Sequence, residues 1–212
     1  SQIIVTTHSP YFISAKGFES VRMTRSVGPQ RSSVVTHMTY EQLSSSLSKA
    51  LGTEPSPPTS IMAAVEQIMQ PSQNELFFSQ VPVLVEGPED IAFLSTHLWL
   101  SGKWSDFRQC GCHFVVCGGK TNLSRPLAIA DGFGIPAYVV FDGDCDKATG
   151  ADKPKHESDN RCILNLCNLD TDPLQDSTYF SESLVMWGTR IHDEIKAEIG
   201  VEKWNNAEFK AR

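Results

Sequence analysis

What this chain lacks sets the first limits on what it does. Lysine and arginine are in the minority, 18 against 25 aspartates and glutamates, for a formal net charge of −7 at pH 7. That balance argues against binding nucleic acid through bulk positive charge, and leaves open the binding of phosphates through metal ions. Long apolar runs are absent too. Val81–Val85 and Ala137–Phe141 fall far short of the roughly 20 residues that cross a bilayer, so no membrane partner is expected. No apolar targeting segment follows a basic start. The six cysteines stand at 110, 112, 117, 145, 162 and 167, with no CxxC pair and no histidine at zinc-finger spacing. Core or incidental cysteines in a reducing, cytoplasmic setting are expected rather than a zinc site. An initiator methionine is also missing. The chain opens Ser-Gln-Ile-Ile-Val and is expected to be a fragment of a longer protein.

The 212 residues are 40% hydrophobic and 20% charged. That suffices for one or two domains with a self-supporting core, and is neither a disordered nor a coiled-coil composition. The charge is unevenly placed. Between Asp142 and Glu182 there are ten acids against Lys147, Lys153, Lys155 and Arg161, whereas Lys16, Arg22, Arg25 and Arg31 near the start face only Glu19.

Along the chain, Gln2–Thr7 is a short β-rich run closed by Thr7-His8-Ser9-Pro10, where proline favours a turn. Val21–Met23 and Val34–Met38 are further strand candidates around Gly28-Pro29. Tyr40–Leu51 has helical spacing, with Leu43, Leu47 and Leu51 on one face. A Pro/Ser-rich linker over Gly52–Ser60 and a short helix over Ile61–Met69 follow. From Val81 the pattern changes to strand–helix alternation. The predicted strands are Val81–Val85, His113–Cys117, Ala137–Phe141 and Arg161–Cys167. The predicted helices cover Glu89–Leu100 and Asn122–Gly132, with Pro88 suited to a first helical turn. Near-continuous apolar strands alternating with helices predict an α/β fold, a parallel sheet with flanking helices.

Such sheets gather function outside the carboxyl ends of their strands. Three of these strands end in polar signals: Glu86-Gly87, Gly118-Gly119-Lys120 and Asp142-Gly143-Asp144. Residues two apart on a strand point the same way, so Asp142 and Asp144 are expected to repel unless a hard cation sits between them, and carboxylate oxygen is what Mg²⁺ prefers. Asp90, four residues after Glu86, reaches the same rim one helical turn on. The plainer alternative is that Glu86 and Asp90 are helix N-terminal acids and the aspartates turn formers. Several sharper motifs fail. Gly118-Gly119-Lys120-Thr121 lacks the earlier P-loop glycine, since position 114 is Phe. Asp142, Asp144 and Asp146 open like an EF-hand, but Lys147 and Lys153 occupy its Gly and Glu positions. No GxSxG, HExxH or GxGxxG occurs.

Val83-Leu-Val-Glu86-Gly-Pro-Glu-Asp90 followed by Val139-Val-Phe-Asp142-Gly-Asp144 resembles the Toprim (topoisomerase–primase) domain, with a Glu after one strand and Asp-x-Asp after a later one. Ile3-Ile-Val-Thr-Thr-His8-Ser-Pro10 resembles the last strand and switch-histidine loop of an ABC-type ATPase. In this order the two resemble the overcoming-lysogenization-defect (OLD) family nucleases. The resemblance implies a Toprim-like Rossmannoid sheet over about residues 76–190, behind an N-terminal segment left from the ATPase. The implied divisions are 1–20 for the end of the ATPase domain, 21–75 for a connecting segment, and 76–212 for the Toprim domain with a C-terminal helical part.

It also implies that Glu86, Asp90, Asp142 and Asp144 hold Mg²⁺ or Mn²⁺, with two ions expected. Glu182, in Phe180-Ser-Glu182-Ser-Leu, matches a later acidic position loosely; the alternative is an acid at a helix start near Ser181. Gly118, Gly119 and Lys120 match a glycine-containing strand end near substrate. Lys120 or Lys196 is the catalytic lysine, and His8 is a nucleotide-binding remnant. Without a P-loop or Walker B segment, ATP binding by this chain alone is not expected. The implied activity is two-metal cleavage of DNA phosphodiesters, by a full-length protein that is a homodimer. The rival readings are a haloacid-dehalogenase-like phosphatase, with Asp142 as nucleophile and Asp144 as general acid, and a non-catalytic interaction module.

Overall fold

Alternate residues of the central strands face opposite sides of one sheet, and the two sets of side chains build two cores. A computed structural model describes residues 3–28 and 32–205. An antiparallel hairpin comes first, β1 (Met23–Val27) with β2 (Ser32–Thr36). Helices α1 (Tyr40–Leu51), α2 (Pro58–Ile68) and the single turn α3 (Pro71–Asn74) follow. The main unit then runs β3 (Val81–Val85), α4 (Pro88–Leu100), α5 (Trp104–Gln109), β4 (Cys112–Val116), α6 (Ser124–Gly132), β5 (Tyr138–Asp142), α7 (Lys153–Leu166), β6 (Tyr179–Phe180), β7 (Leu184–Trp187) and α8 (Ile191–Ile199). The sheet order is β4-β3-β5-β7-β6, with the first four parallel and β6 antiparallel at the edge. The α/β architecture is therefore a mostly parallel sheet flanked by helices.

Leu84, Val115, Val139, Phe141, Leu184 and Met186 point to the larger core, shared with α1, α2, α6 and α7. There Phe18 stacks on Tyr40 at 5.1 Å and meets Phe133 edge-on at 5.7 Å. Residues before β3 thus pack into the same core as the sheet. Val83, Val85, Val140 and Val185 point the other way, towards Ile91 and Leu94 of α4 and Phe107 of α5. Helix α1 forms where expected. Thr39 Oγ1 accepts from Gln42 N while Gln42 Oε1 accepts from Thr39 N, and Gly52 at φ +67° ends the helix.

Two expectations are corrected. Residues 3–7, the described part of the proposed first strand, form no strand, and Ile3 and Ile4 are 81% and 85% exposed. A strand needs a neighbour for its N–H and C=O groups, and none lies beside this segment among the described residues. Arg161–Cys167 is not a strand but lies mostly within α7. Pro154 sits in the first turn of that helix, and Asn160, Ile163 and Leu164 bury one face at helical spacing. The fourth parallel strand is β7. Among the described residues no helix is long and apolar enough to cross a membrane.

Candidate active site

The carboxyl ends of β3, β4, β5 and β7 share one rim. Glu86 follows β3, and its Oε1 accepts from the N–H of Asp142 at 2.9 Å, tying one strand end to the next but one in the chain. Asp142 closes β5, and its Oδ1 accepts from Ile191 N at the start of α8 at 3.0 Å. Asp90, buried in the first turn of α4, accepts from Gly87 N at 2.8 Å. One oxygen of each carboxylate is thereby fixed by backbone, and the other oxygens of Glu86 and Asp142 have no hydrogen-bond partner among the described residues. No lysine, arginine or histidine forms an ion pair with these three there. A pocket of about 180 Å³ opens beside them, lined by Glu89, Asp90, Asp142, Arg190, Ile191 and His192.

Electrostatics sets this group apart. Burial, with repulsion from Asp142 and Asp144, pushes the Glu86 carboxyl up to about 7. Burial and the nearby Asp90 and Asp144 charges push Asp142 up to about 6. Burial and Glu89 raise Asp90 as well.

Asp144 lives differently. The strand ends at Asp142, so the period-two alternation does not carry on to Asp144, which takes a left-handed φ of +53°. Its Oδ2 accepts from Lys120 Nζ at 2.7 Å and its Oδ1 from Lys147 Nζ, with His156 Nδ1 3.6 Å away. Burial alone would raise this carboxyl, but the two ammonium groups more than offset it and hold it below the ordinary range. Lys120, expected beside substrate, is buried and also donates to the Asp142 carbonyl at 2.8 Å. The turn before it explains how it gets there. Gly118 N and Gly119 N both donate to the Glu86 carbonyl at 2.9 and 2.8 Å. Gly119 at φ +112° then turns the chain inward, a conformation that side chains rarely allow.

Gly143 is required for closeness rather than for an unusual φ. A Cβ there would lie 2.5 Å from the Trp187 carbonyl, which accepts from Gly143 N at 2.7 Å. Asn160 of α7 is fully buried, and its Nδ2 donates to the Gly143 and Pro173 carbonyls at 2.8 and 2.7 Å.

The structure thus brings together Glu86, Asp90, Asp142, Asp144 and Lys120, with Gly118 and Gly119 shaping the same rim. It does not bring Glu182 there. That residue lies exposed between antiparallel β6 and β7, at the opposite end of the sheet from the rim. His8 is exposed on the segment before residue 10. Reading the sequence alone missed Lys147, Asn160, Arg190 and His192. Lys147 stands out in the sequence only as a broken EF-hand position, Asn160 lies just before the segment expected as a strand, and the last two follow a strand that the sequence reading lacks.

Residues 77–144 match the family model described as overcoming lysogenization defect protein-like, TOPRIM domain. That stretch is therefore similar to the OLD-like Toprim region. Over 165 residues, 76% of this chain, the sequence is 27% identical to an OLD nuclease of Thermus scotoductus, and the chain spans 29% of that relative's length.

Toprim domains generally bind divalent metal ions. Among the described residues, no three His, Cys, Asp or Glu side chains converge closely enough to hold an ion as they stand. The donor chemistry of this Toprim rim nonetheless fits a hard cation. Glu86, Asp90 and Asp142 are oxygen donors, anchored, raised by burial and mutual repulsion, and without an ion-pair partner.

Proposed function

We propose that this region is a divalent-metal-dependent endonuclease that nicks or cuts DNA. The observation that supports it most is the group of three backbone-anchored carboxylates, without an ion-pair partner among the described residues, beside a pocket at the shared rim. Glu86, Asp90 and Asp142 would hold Mg²⁺ or Mn²⁺, which supplies the positive charge that polarises a phosphodiester and acidifies a water.

The chain's own residues do the positioning. Gly87 N, Asp142 N and Ile191 N each fix one carboxylate oxygen, so the donors keep their orientation as substrate arrives. Glu86 and Asp142, raised to about 7 and about 6, would give up their protons to hold an ion near neutral pH. Lys120 and Lys147 engage both oxygens of Asp144, which makes Asp144 the anchor of the loop and Lys120 a positioning residue that also holds the Asp142 carbonyl. The phosphatase alternative is not favoured, because it leaves Glu86 without a role. DNA is the proposed substrate and a homodimer the proposed assembly of the full-length protein.

The test is nicking of supercoiled plasmid by the purified protein with Mg²⁺ or Mn²⁺, and its suppression by EDTA. Intact plasmid with either ion, from protein shown to be folded, would overturn this reading.

A further inference from the structure

The wall of the pocket facing the carboxylates carries a small organised group that the metal chemistry does not use. Arg190 and His192 both line the pocket. A single carboxylate, Asp193, holds them both. Its Oδ2 accepts from Arg190 Nε at 2.7 Å, and its Oδ1 lies 3.1 Å from His192 Nδ1. The His192 ring also meets Trp204 edge-on at 4.8 Å. Use of Nε by Asp193 leaves the two terminal nitrogens of the guanidinium without a hydrogen-bond partner among the described residues, while fixing the plane in which they lie. A guanidinium with its terminal N–H groups free matches two oxygens of a phosphate in bidentate fashion, better than a point charge does.

We infer that Arg190, aimed by Asp193, is the phosphate-binding residue of this pocket and takes a DNA backbone phosphate across from Asp90 and Asp142. This deepens the nuclease reading and rests on it for the identity of the substrate. The chemistry recognised is a phosphodiester, with no base read. The overall charge of −7 makes one oriented cation at the pocket count for more than it would on a basic surface.

The test compares wild-type protein with Arg190→Ala, Arg190→Lys and Asp193→Asn. Binding of a fluorescein-labelled 20-base-pair duplex is followed by anisotropy across a salt series in Ca²⁺, and plasmid nicking in Mn²⁺. Mn²⁺ affinity is measured by calorimetry. The Arg190 side chain is 45% exposed, so folding is expected to survive. Arg190→Ala should weaken DNA binding by about tenfold and lower the salt slope by about one, with Mn²⁺ affinity retained. Arg190→Lys should restore the slope and only part of the nicking rate. Asp193→Asn should keep the slope and lose nicking rate, since the charge remains and the aim does not.

Unchanged DNA affinity and slope in Arg190→Ala, or an effect confined to tighter Mn²⁺ binding, would overturn the inference and reduce Arg190 to a neutraliser of acids. Wild-type protein that binds DNA through Arg190 yet cuts it with neither ion would overturn the nuclease reading while the phosphate site stands. Cutting by wild type with Arg190-independent binding would do the reverse.

Discussion

Asp142 and Asp144 are the same residue type, two positions apart, on one loop at one rim, and the fold gives them opposite electrostatics. Asp142 sits with Glu86 and Asp90, where burial and like charge push it up to about 6. Asp144 sits with Lys120 and Lys147, which hold it below the ordinary range. Both are buried. The difference is the sign of the neighbours, set by one left-handed residue and a double-glycine turn that buries a lysine. One aspartate therefore has no ion-pair partner among the described residues, and the other is paired with two lysines. The first is suited to accept a cation from outside and the second to hold the loop that presents the first.

The largest expected effect breaks the Asp142 side. Glu86→Gln or Asp142→Asn should cut Mn²⁺-dependent nicking by more than about a hundredfold, beyond the 10–100-fold that outer-shell partners typically cost. The fold should be retained, because each change relieves repulsion. Parallel nicking assays and thermal melts in EDTA check both halves. Wild-type rates in either variant would remove the carboxylate from the metal-binding role.

Next comes the Asp144 side, where the cost should fall on stability. Lys120→Met leaves Asp144 buried with one cation fewer and frees the Asp142 carbonyl. Breaking a buried pair typically costs about 3–5 kcal/mol, which for a chain of this size is a fall in Tm of roughly 10 °C. A Lys120→Met protein that melts with the wild type would show that the pair contributes nothing net.

The two sides should also separate with pH. A carboxyl raised in the fold favours its protonated form, so the stability it contributes is present at low pH and is lost as pH rises. For Glu86 that window runs from its ordinary 4.5 to about 7, and for Asp142 from 3.8 to about 6. Asp144 has the reverse sign: its contribution is present above 3.8 and is lost as pH falls through its lowered value. In EDTA, Glu86→Gln should flatten the decline in Tm between about pH 5 and pH 7, and Asp144→Asn should flatten the acid limb. Equal slopes in wild type and Glu86→Gln would contradict the proton held at Glu86.

Much of this was legible in the sequence. Apolar runs ending in Glu86, in Gly118-Gly119 and in Asp142 placed three strands and their shared rim, because a parallel sheet buries both faces and leaves only its ends polar. What was not legible depended on partners. Residues 3–7 look like a strand, yet pairing is a property of two segments and the second is absent among those described. Cys162-Ile-Leu-Asn-Leu-Cys167 is too short for its period to distinguish a buried strand from a helix face. Taking it for the fourth strand hid β7, only four residues long, and with it Arg190, His192 and Asp193. The split between Asp142 and Asp144 was hidden for another reason. Alternation holds within a strand, and nothing in the sequence says that the strand stops between them.

The smallest expected effect sharpens the comparison within the Asp144 cluster itself. Lys120 and Lys147 each donate to one oxygen of Asp144, but their side chains are 7% and 45% exposed. Water and salt screen the second, and a solvent-exposed pair of this kind typically contributes no more than about 1 kcal/mol. Lys147→Ala should therefore lower Tm by only about 2–4 °C, less again in 0.5 M salt, whereas the Lys120→Met penalty should be nearly indifferent to salt. Similar losses for the two variants would mean that burial is not what distinguishes the lysines. The anchor of the loop would then lie in its backbone contacts, above all Gly143 against the Trp187 carbonyl and Asn160 beneath it, rather than in the ion cluster.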